Sequence, residues 1–209
     1  MVVTEDEKLK VFVREKMREA LLRCGRKMVA ENGIEALSAR KLAVHANSSV
    51  GMIYNIFGTM DRYIVEQNII TLRELYNAMD TVILSKNPFN NLSRYADVLT
   101  SFILANHHLW HLLYNRHLSV NASKSTIAEA RIIKKIDVLI GTQAAQLITG
   151  MRGKEARLSI KVLEMSLFSL SGYLLGDKLN PHSGVNSNSL CKLLVNTYMA
   201  GLASLRGNI

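Results

Sequence analysis

The chain has 209 residues, of which 48% are hydrophobic and 21% charged, with a formal charge of +9; this composition supports a buried core and excludes an intrinsically disordered chain. No uninterrupted apolar run approaches the roughly 20 residues of a membrane span. The opening MVVTEDEKLKVFVREKM carries charges where a secretion signal needs an apolar core, so a cytoplasmic protein with no membrane partner is expected.

The positive charge points to an anionic partner such as nucleic acid, although most of the excess lies beyond residue 68. Near the N-terminus, Lys8, Lys10, Arg14, Lys16, Arg18, Arg23, Arg26 and Lys27 form a local basic stretch interrupted only by Glu15 and Glu19. Cys24 and Cys191 lie far apart and belong to no CxxC or metal spacing, which predicts two buried free thiols.

Only two prolines occur, and helical periodicity runs through almost the whole sequence, so the expected fold class is all-α with about nine helices. Leu21, Cys24 and Met28 share one face of a first helix, expected over 8–32 and stopped by Asn32-Gly33. Ser38 is placed to cap a second helix anchored by Leu42. Ala46-Asn47-Ser48 reads as a tight turn with Asn47 in a left-handed conformation, and Ser48 or Ser49 caps a short third helix. Thr59 caps a long fourth helix, expected over 60–84, that Asn87-Pro88 ends. Further helices are expected near 90–105, 107–118, 125–149, 154–178 and 187–206, with NPHSGVNSNS at 180–189 as the clearest loop.

Two short helices joined by a tight turn, with a longer helix behind them, are the parts of a helix-turn-helix unit. The string LSARKLAVHANSSVGMIYNIFGTMDRYI resembles the N-terminal domain of TetR-family transcriptional regulators. Ser38, Leu42, Ala43, Ala46, Ser49, Gly51, Ile53, Tyr54 and Phe57 match that family's pattern. The resemblance implies a DNA-binding domain over 1–58 and an effector-binding and dimerisation domain over 59–209.

It also implies that the third helix enters the major groove. Ile53, Ile56 and Phe57 would pack that helix against Leu42 and the first helix. Ser38 and Ser49 stand at helix N-termini, where free N–H groups favour a phosphate. Gly51 permits close approach, either to the duplex or to a neighbouring helix. Tyr54 would meet a phosphate, Asn55 can pair with adenine, and Val50 or Met52 can touch a thymine methyl. Arg40 is a further candidate DNA contact. The sequence departs from many members in having Val50 and Met60 where lysines are usual; weaker binding with a shallower salt dependence is expected, with Lys41, Arg62 or the first helix's basic stretch as possible compensation.

In the second part, EMSLFSLSGYLLGDKL (164–179) and CKLLVNTYMAGLASL (191–205) resemble the two helices that form a four-helix bundle across the family's dimer. Small residues (Ser171, Gly172, Gly176, Ala200, Gly201, Ala203) would allow close contact. Leu175, Val195, Tyr198 and Leu202 complete the expected interface. FILANHHLWHLLYNRHLS (102–119) places His107 and His111 on one face, as in a zinc pair, but no third ligand is near, and no metal or cofactor is expected. An effector pocket is expected from Phe102, His107, Trp110, His111 and Tyr114, faced by Met165 and Phe168.

The resulting expectation is a homodimeric, ligand-responsive repressor, not an enzyme, released from a palindromic double-stranded DNA operator by a small apolar or aromatic effector. Two alternatives stay open. One is a helical interaction protein with weakened DNA binding; the other is a small metal-dependent enzyme using His107, His108, His111 and His117, for which no acid, base and nucleophile set is identifiable.

Overall fold

A computed structural model of the chain describes residues 4–118, 126–148, 153–177 and 187–205. Among the described residues all regular structure is helical: α1 (Glu5–Asn32), a 3-10 turn (Ile34–Ala36), α2 (Ala39–His45), α3 (Val50–Phe57), α4 (Met60–Asp80), α5 (Pro88–Ala105), α6 (His107–Leu118), α7 (Ile127–Leu147), α8 (Gly153–Asp177) and α9 (Ser187–Leu205). The all-α expectation holds. Most of the 180–189 loop lies outside the described residues.

Local chemistry sets most of the boundaries. Thr4 and Glu7 form a reciprocal capping box, so α1 begins three residues earlier than expected, and Glu5, Asp6 and Glu7 complement the positive end of the helix dipole. Gly33, at φ 78°, ends it. Ser38, Ser49 and Thr59 each accept a hydrogen bond from a first-turn N–H, of Lys41, Met52 and Arg62 respectively. Asn47 turns the chain between α2 and α3 at φ 46°.

The fourth helix is shorter than the expected 60–84. It stops at Asp80: Thr81 and Val82 still bond back to the Asn77 and Met79 carbonyls, and the chain beyond them is held by the following helix. The Ile83 carbonyl accepts from Arg94, and Ser85 N donates to Asn91 Oδ1 at 2.8 Å. Asn87 then caps α5, with Pro88 in its first turn.

Apolar side chains gather around two main centres. The N-terminal one contains Leu21, Leu22, Met28, Leu42, Ala43, Ile53, Phe57 and Tyr63. The larger one is built from α4 to α9, with α5 lying along α7 and α9, and α8 against α9. A small third cluster, Val29 with Leu109 and Leu112, joins α1 to α6. Cys191 is buried, whereas Cys24 is only half-buried, because it sits at the rim of the N-terminal cluster. Burial pushes both thiols above the ordinary cysteine range.

Candidate nucleic-acid interface and ligand cavity

The third helix is two-faced. Ile53 and Phe57 are buried against Leu42 and Leu21, and Phe57 meets Tyr63 edge-on at 4.8 Å between ring centroids. Ile56 packs at the margin of the same cluster. On the opposite side Ser49, Gly51, Met52, Tyr54 and Asn55 are exposed, and Val50 is half-buried. Arg40 is exposed on α2, and Ser38 is half-buried at its cap.

A Cβ added at Gly51 would meet only Ser49 Oγ, at 3.8 Å. Among the described residues no neighbouring helix approaches it, so packing within the described protomer does not account for this glycine. The cations near α3 are partly engaged. Arg14 Nη2 donates to the Asn55 carbonyl at 3.0 Å and Lys41 Nζ to the Glu35 carbonyl at 2.7 Å, while Arg62 folds back toward Gly58.

Behind this face, α4 is tied firmly to α1. Tyr63 Oη donates to the Leu21 carbonyl at 2.9 Å, and Gln67 Nε2 donates to the Leu22 carbonyl at 2.8 Å and to Tyr63 Oη at 2.9 Å. Burial raises the Tyr63 phenol well above its ordinary pKa. Gly25 makes this possible, because a Cβ there would lie 1.9 Å from Tyr63 Oη. Arg26 pairs with Glu74, and Arg18 with Glu15 and Glu66.

At the N-terminus of α4, Asp61 accepts from Arg116 Nε at 3.4 Å, while Arg116 Nη1 reaches Glu129 at 3.3 Å. Arg116 and Glu129 are buried. This ion cluster joins the start of α4 to α6 and α7.

Farther along, Leu72 and Leu75 of α4 form one wall of a cavity of about 320 Å³. Trp110, Leu113, Ile136 and Leu167 supply other apolar walls, and Met165 and Phe168 lie at its rim. Its charged lining is Asp137, Lys161 and Glu164. Lys161 Nζ bonds Glu164 Oε2 at 2.9 Å and Asp137 Oδ2 at 3.2 Å. Burial raises the Glu164 carboxyl above its usual range against the pull of Lys161, and the hydrogen bond to Glu164 raises the lysine.

The expected pocket residues separate. Trp110, Met165 and Phe168 line this cavity. His107, His111 and Tyr114 do not; they line a second cleft with Gly33, Glu35 and Gly172. All four share one broad face of α6 at i, i+3, i+4 and i+7: Trp110 meets Ser171 and enters the cavity, whereas Tyr114 lies over Gly172 and lines the neighbouring cleft with His107 and His111. Phe102 lines neither space and packs edge-on against Trp110. Periodicity in the sequence did not indicate the charged group at 137, 161 and 164, whose members lie on two different helices.

The histidines are engaged by protein groups. His107 Nε2 donates to the Leu175 carbonyl at 3.2 Å, His108 Nδ1 to the Ala30 carbonyl at 2.9 Å, and Asn115 Nδ2 to His111 Nε2 at 3.0 Å. Among the described residues no group of three or more His, Cys, Asp or Glu is placed to hold a metal. The side chain of His117 lies outside the described residues.

The residues expected to form an interface on α8 and α9 divide between the inside and the outside of the protomer. Ser171, Leu175, Val195 and Leu202 are buried inside the protomer. Ser171 Oγ accepts from Trp110 Nε1 at 3.1 Å, and Gly172 makes room for Tyr114, whose Oη would be 2.2 Å from an added Cβ. Tyr198 bridges to α8 by donating to the Ser159 carbonyl at 2.8 Å. Gly176 and Gly201 have open space where a Cβ would sit, and Ala200 is exposed. The outward apolar residues are instead Leu158, Val162, Met165 and Tyr173 on α8 and Leu193 on α9, flanking an apolar groove that includes Leu170, Leu190, Leu194 and Thr197. The side chain of Ala203 lies outside the described residues.

No family sequence model and no curated protein sequence matches the chain. Solved structures do. A protein of unknown function from Rhodococcus sp. RHA1 superposes with a TM-score of 0.67 at 19% identity, covering 90% of this chain and 95% of that one. RolR in complex with resorcinol gives 0.63 at 17% identity, over 90% and 87%. A TetR-like transcriptional regulator from Rhodococcus sp. RHA1 gives 0.59 at 17% identity, over 90% and 96%. With its serine-capped third helix, its long fourth helix and its helical second part, the chain has the fold of the TetR-type transcriptional regulators.

Proposed function

We propose that the protein is a homodimeric, effector-responsive DNA-binding repressor acting in the cytoplasm. The observation that carries this reading is the two-faced α3. Its inner face is locked by Ile53 and Phe57, and its outer face offers Ser49, Gly51, Met52, Tyr54 and Asn55 in a row. Backbone N–H groups, the Tyr54 hydroxyl and Arg40 meet phosphates; Asn55 and Met52 read base edges. Gly51 lets the first turn approach the duplex.

Dimerisation uses the outward face of α8 and α9. The segment Gly153–Gly176 is long and apolar enough to cross a membrane by composition, yet only 28% of its most apolar stretch is buried in one protomer. A second copy covering Leu158, Val162, Met165, Tyr173 and Leu193 explains that exposed stripe, and it sets two α3 helices on half-sites about one helical turn apart, or a multiple of it.

Regulation passes through α4. One helix carries Leu72 and Leu75 in the cavity wall and Tyr63 and Gln67 on α1, so a ligand that prefers one position of α4 selects one spacing of the reading helices. RolR, a structural relative, was solved with resorcinol, and a small aromatic effector suits a cavity of this size.

Fluorescence anisotropy against the DNA upstream of the protein's own gene tests the reading. A saturable complex with a palindromic footprint supports it. Val50 and Met60, at positions where many members of the resembled family carry lysines, favour a second reading as a helical interaction protein; binding no tighter than to unrelated duplex would favour that one.

A further inference from the structure

We infer that the cavity between α4, α7 and α8 selects a lipophilic cation, a compact apolar body with one amine-type charge seated against Glu164. The inference deepens the effector reading above and rests on it. Most of the cavity wall is aliphatic or aromatic, and two of its polar groups are already committed: Trp110 Nε1 donates to Ser171 Oγ, which in turn donates to the Phe168 carbonyl at 2.6 Å. Besides Ser169, the remaining polar lining is the charged group of Asp137, Lys161 and Glu164, which reads the polar end of a ligand.

That group holds two carboxylates and one ammonium, a net negative charge. Lys161 engages one oxygen of each carboxylate, and its side chain is 53% exposed, against 30% for Asp137 and 10% for Glu164. The least solvated of the three charges is thus an acid. Its other oxygen, Oε1, lies beside Gly141, where even an added Cβ would remain 3.7 Å away, so the glycine leaves the flank of the carboxylate uncrowded.

A cation placed there offsets a poorly solvated negative charge in surroundings of low dielectric, whereas an anion would add a third negative charge. The raised Glu164 carboxyl has the same cause, burial incompletely compensated by Lys161. Trp110 and Phe168 add aromatic side chains to the lining, a residue type that interacts favourably with cations.

Trp110 is the chain's single tryptophan and lines the cavity, so its fluorescence reports occupancy directly. The full-length protein is titrated with 4-phenylbutylamine, 4-phenylbutanol and 4-phenylbutyrate, which share one body and differ in head group. The amine is expected to bind at least about tenfold tighter than the carboxylate, with the alcohol between them. Glu164→Gln should remove most of that preference, weakening the amine more than the alcohol or the carboxylate. Asp137→Asn, at a more exposed position, should weaken it partially and serves as the second variant if Glu164→Gln does not fold.

Equal or tighter binding of the carboxylate, an undiminished preference in both variants, or no change in Trp110 emission with any probe overturns the inference. The two readings fail separately. Amine selectivity without any effect on DNA affinity removes the regulatory role but keeps the site, whereas release of DNA by the carboxylate keeps the regulatory role and sinks the cation inference.

Discussion

At the residue scale, three glycines that look alike in the sequence have different work. Gly25 gives way to Tyr63 Oη and Gly172 to Tyr114 Oη, while Gly51 faces open space. Gly25→Ala should force Tyr63 off its bonds to Leu21 and Gln67 and destabilise the fold by roughly 2 kcal/mol, within the usual range for overpacking a core; thermal unfolding measures it. Gly51→Ala should do the reverse, raising stability by up to about 1 kcal/mol through helix propensity while weakening DNA binding. If Gly51→Ala destabilised the protein, a packing role would replace the proposed approach to DNA. The sequence marked Gly51 through its motif but not Gly25, because the tyrosine that fills the space beside Gly25 arrives from α4, 38 positions away.

At the scale of elements, α4 is the connecting part, held at its start by the buried Arg116–Glu129 pair with Asp61. Arg116→Met leaves Glu129 buried without its cation and should cost about 3–5 kcal/mol, whereas Arg116→Met with Glu129→Met should recover much of it; chemical denaturation of the single and double variants compares them. Helix starts were legible at Ser38, Ser49 and Thr59, but not at Thr4, whose capping box with Glu7 begins α1 three residues before the expected start. The end of α4 was not legible, since Arg94 and Asn91 from the following helix capture the backbone of Ile83 and Ser85. The inward and outward faces of α8 were misread for a related reason. The helix is apolar on several sides, and the packing of Trp110 and Tyr114, not the pattern within 164–179, decides which side turns inward.

At the scale of the whole molecule, the exposed stripe on α8 and α9 predicts a dimer. Met165→Glu with Leu193→Glu, both on well-exposed positions, should dissociate it without loss of helicity, as read by sedimentation and circular dichroism; an unchanged dimer would move the interface elsewhere. Losing the dimer should also lower DNA affinity, because two half-sites are then bound independently. The most direct measurement concerns the reading helix itself. Anisotropy of the DNA upstream of the gene is compared for wild-type protein and for a Gly51→Glu, Tyr54→Ala double variant, both shown by circular dichroism to be folded. A loss of at least about 100-fold in affinity is expected, since a carboxylate would face the phosphates and an orienting hydroxyl would be gone. Wild-type affinity in the folded double variant would contradict the assignment of α3 as the surface that meets DNA.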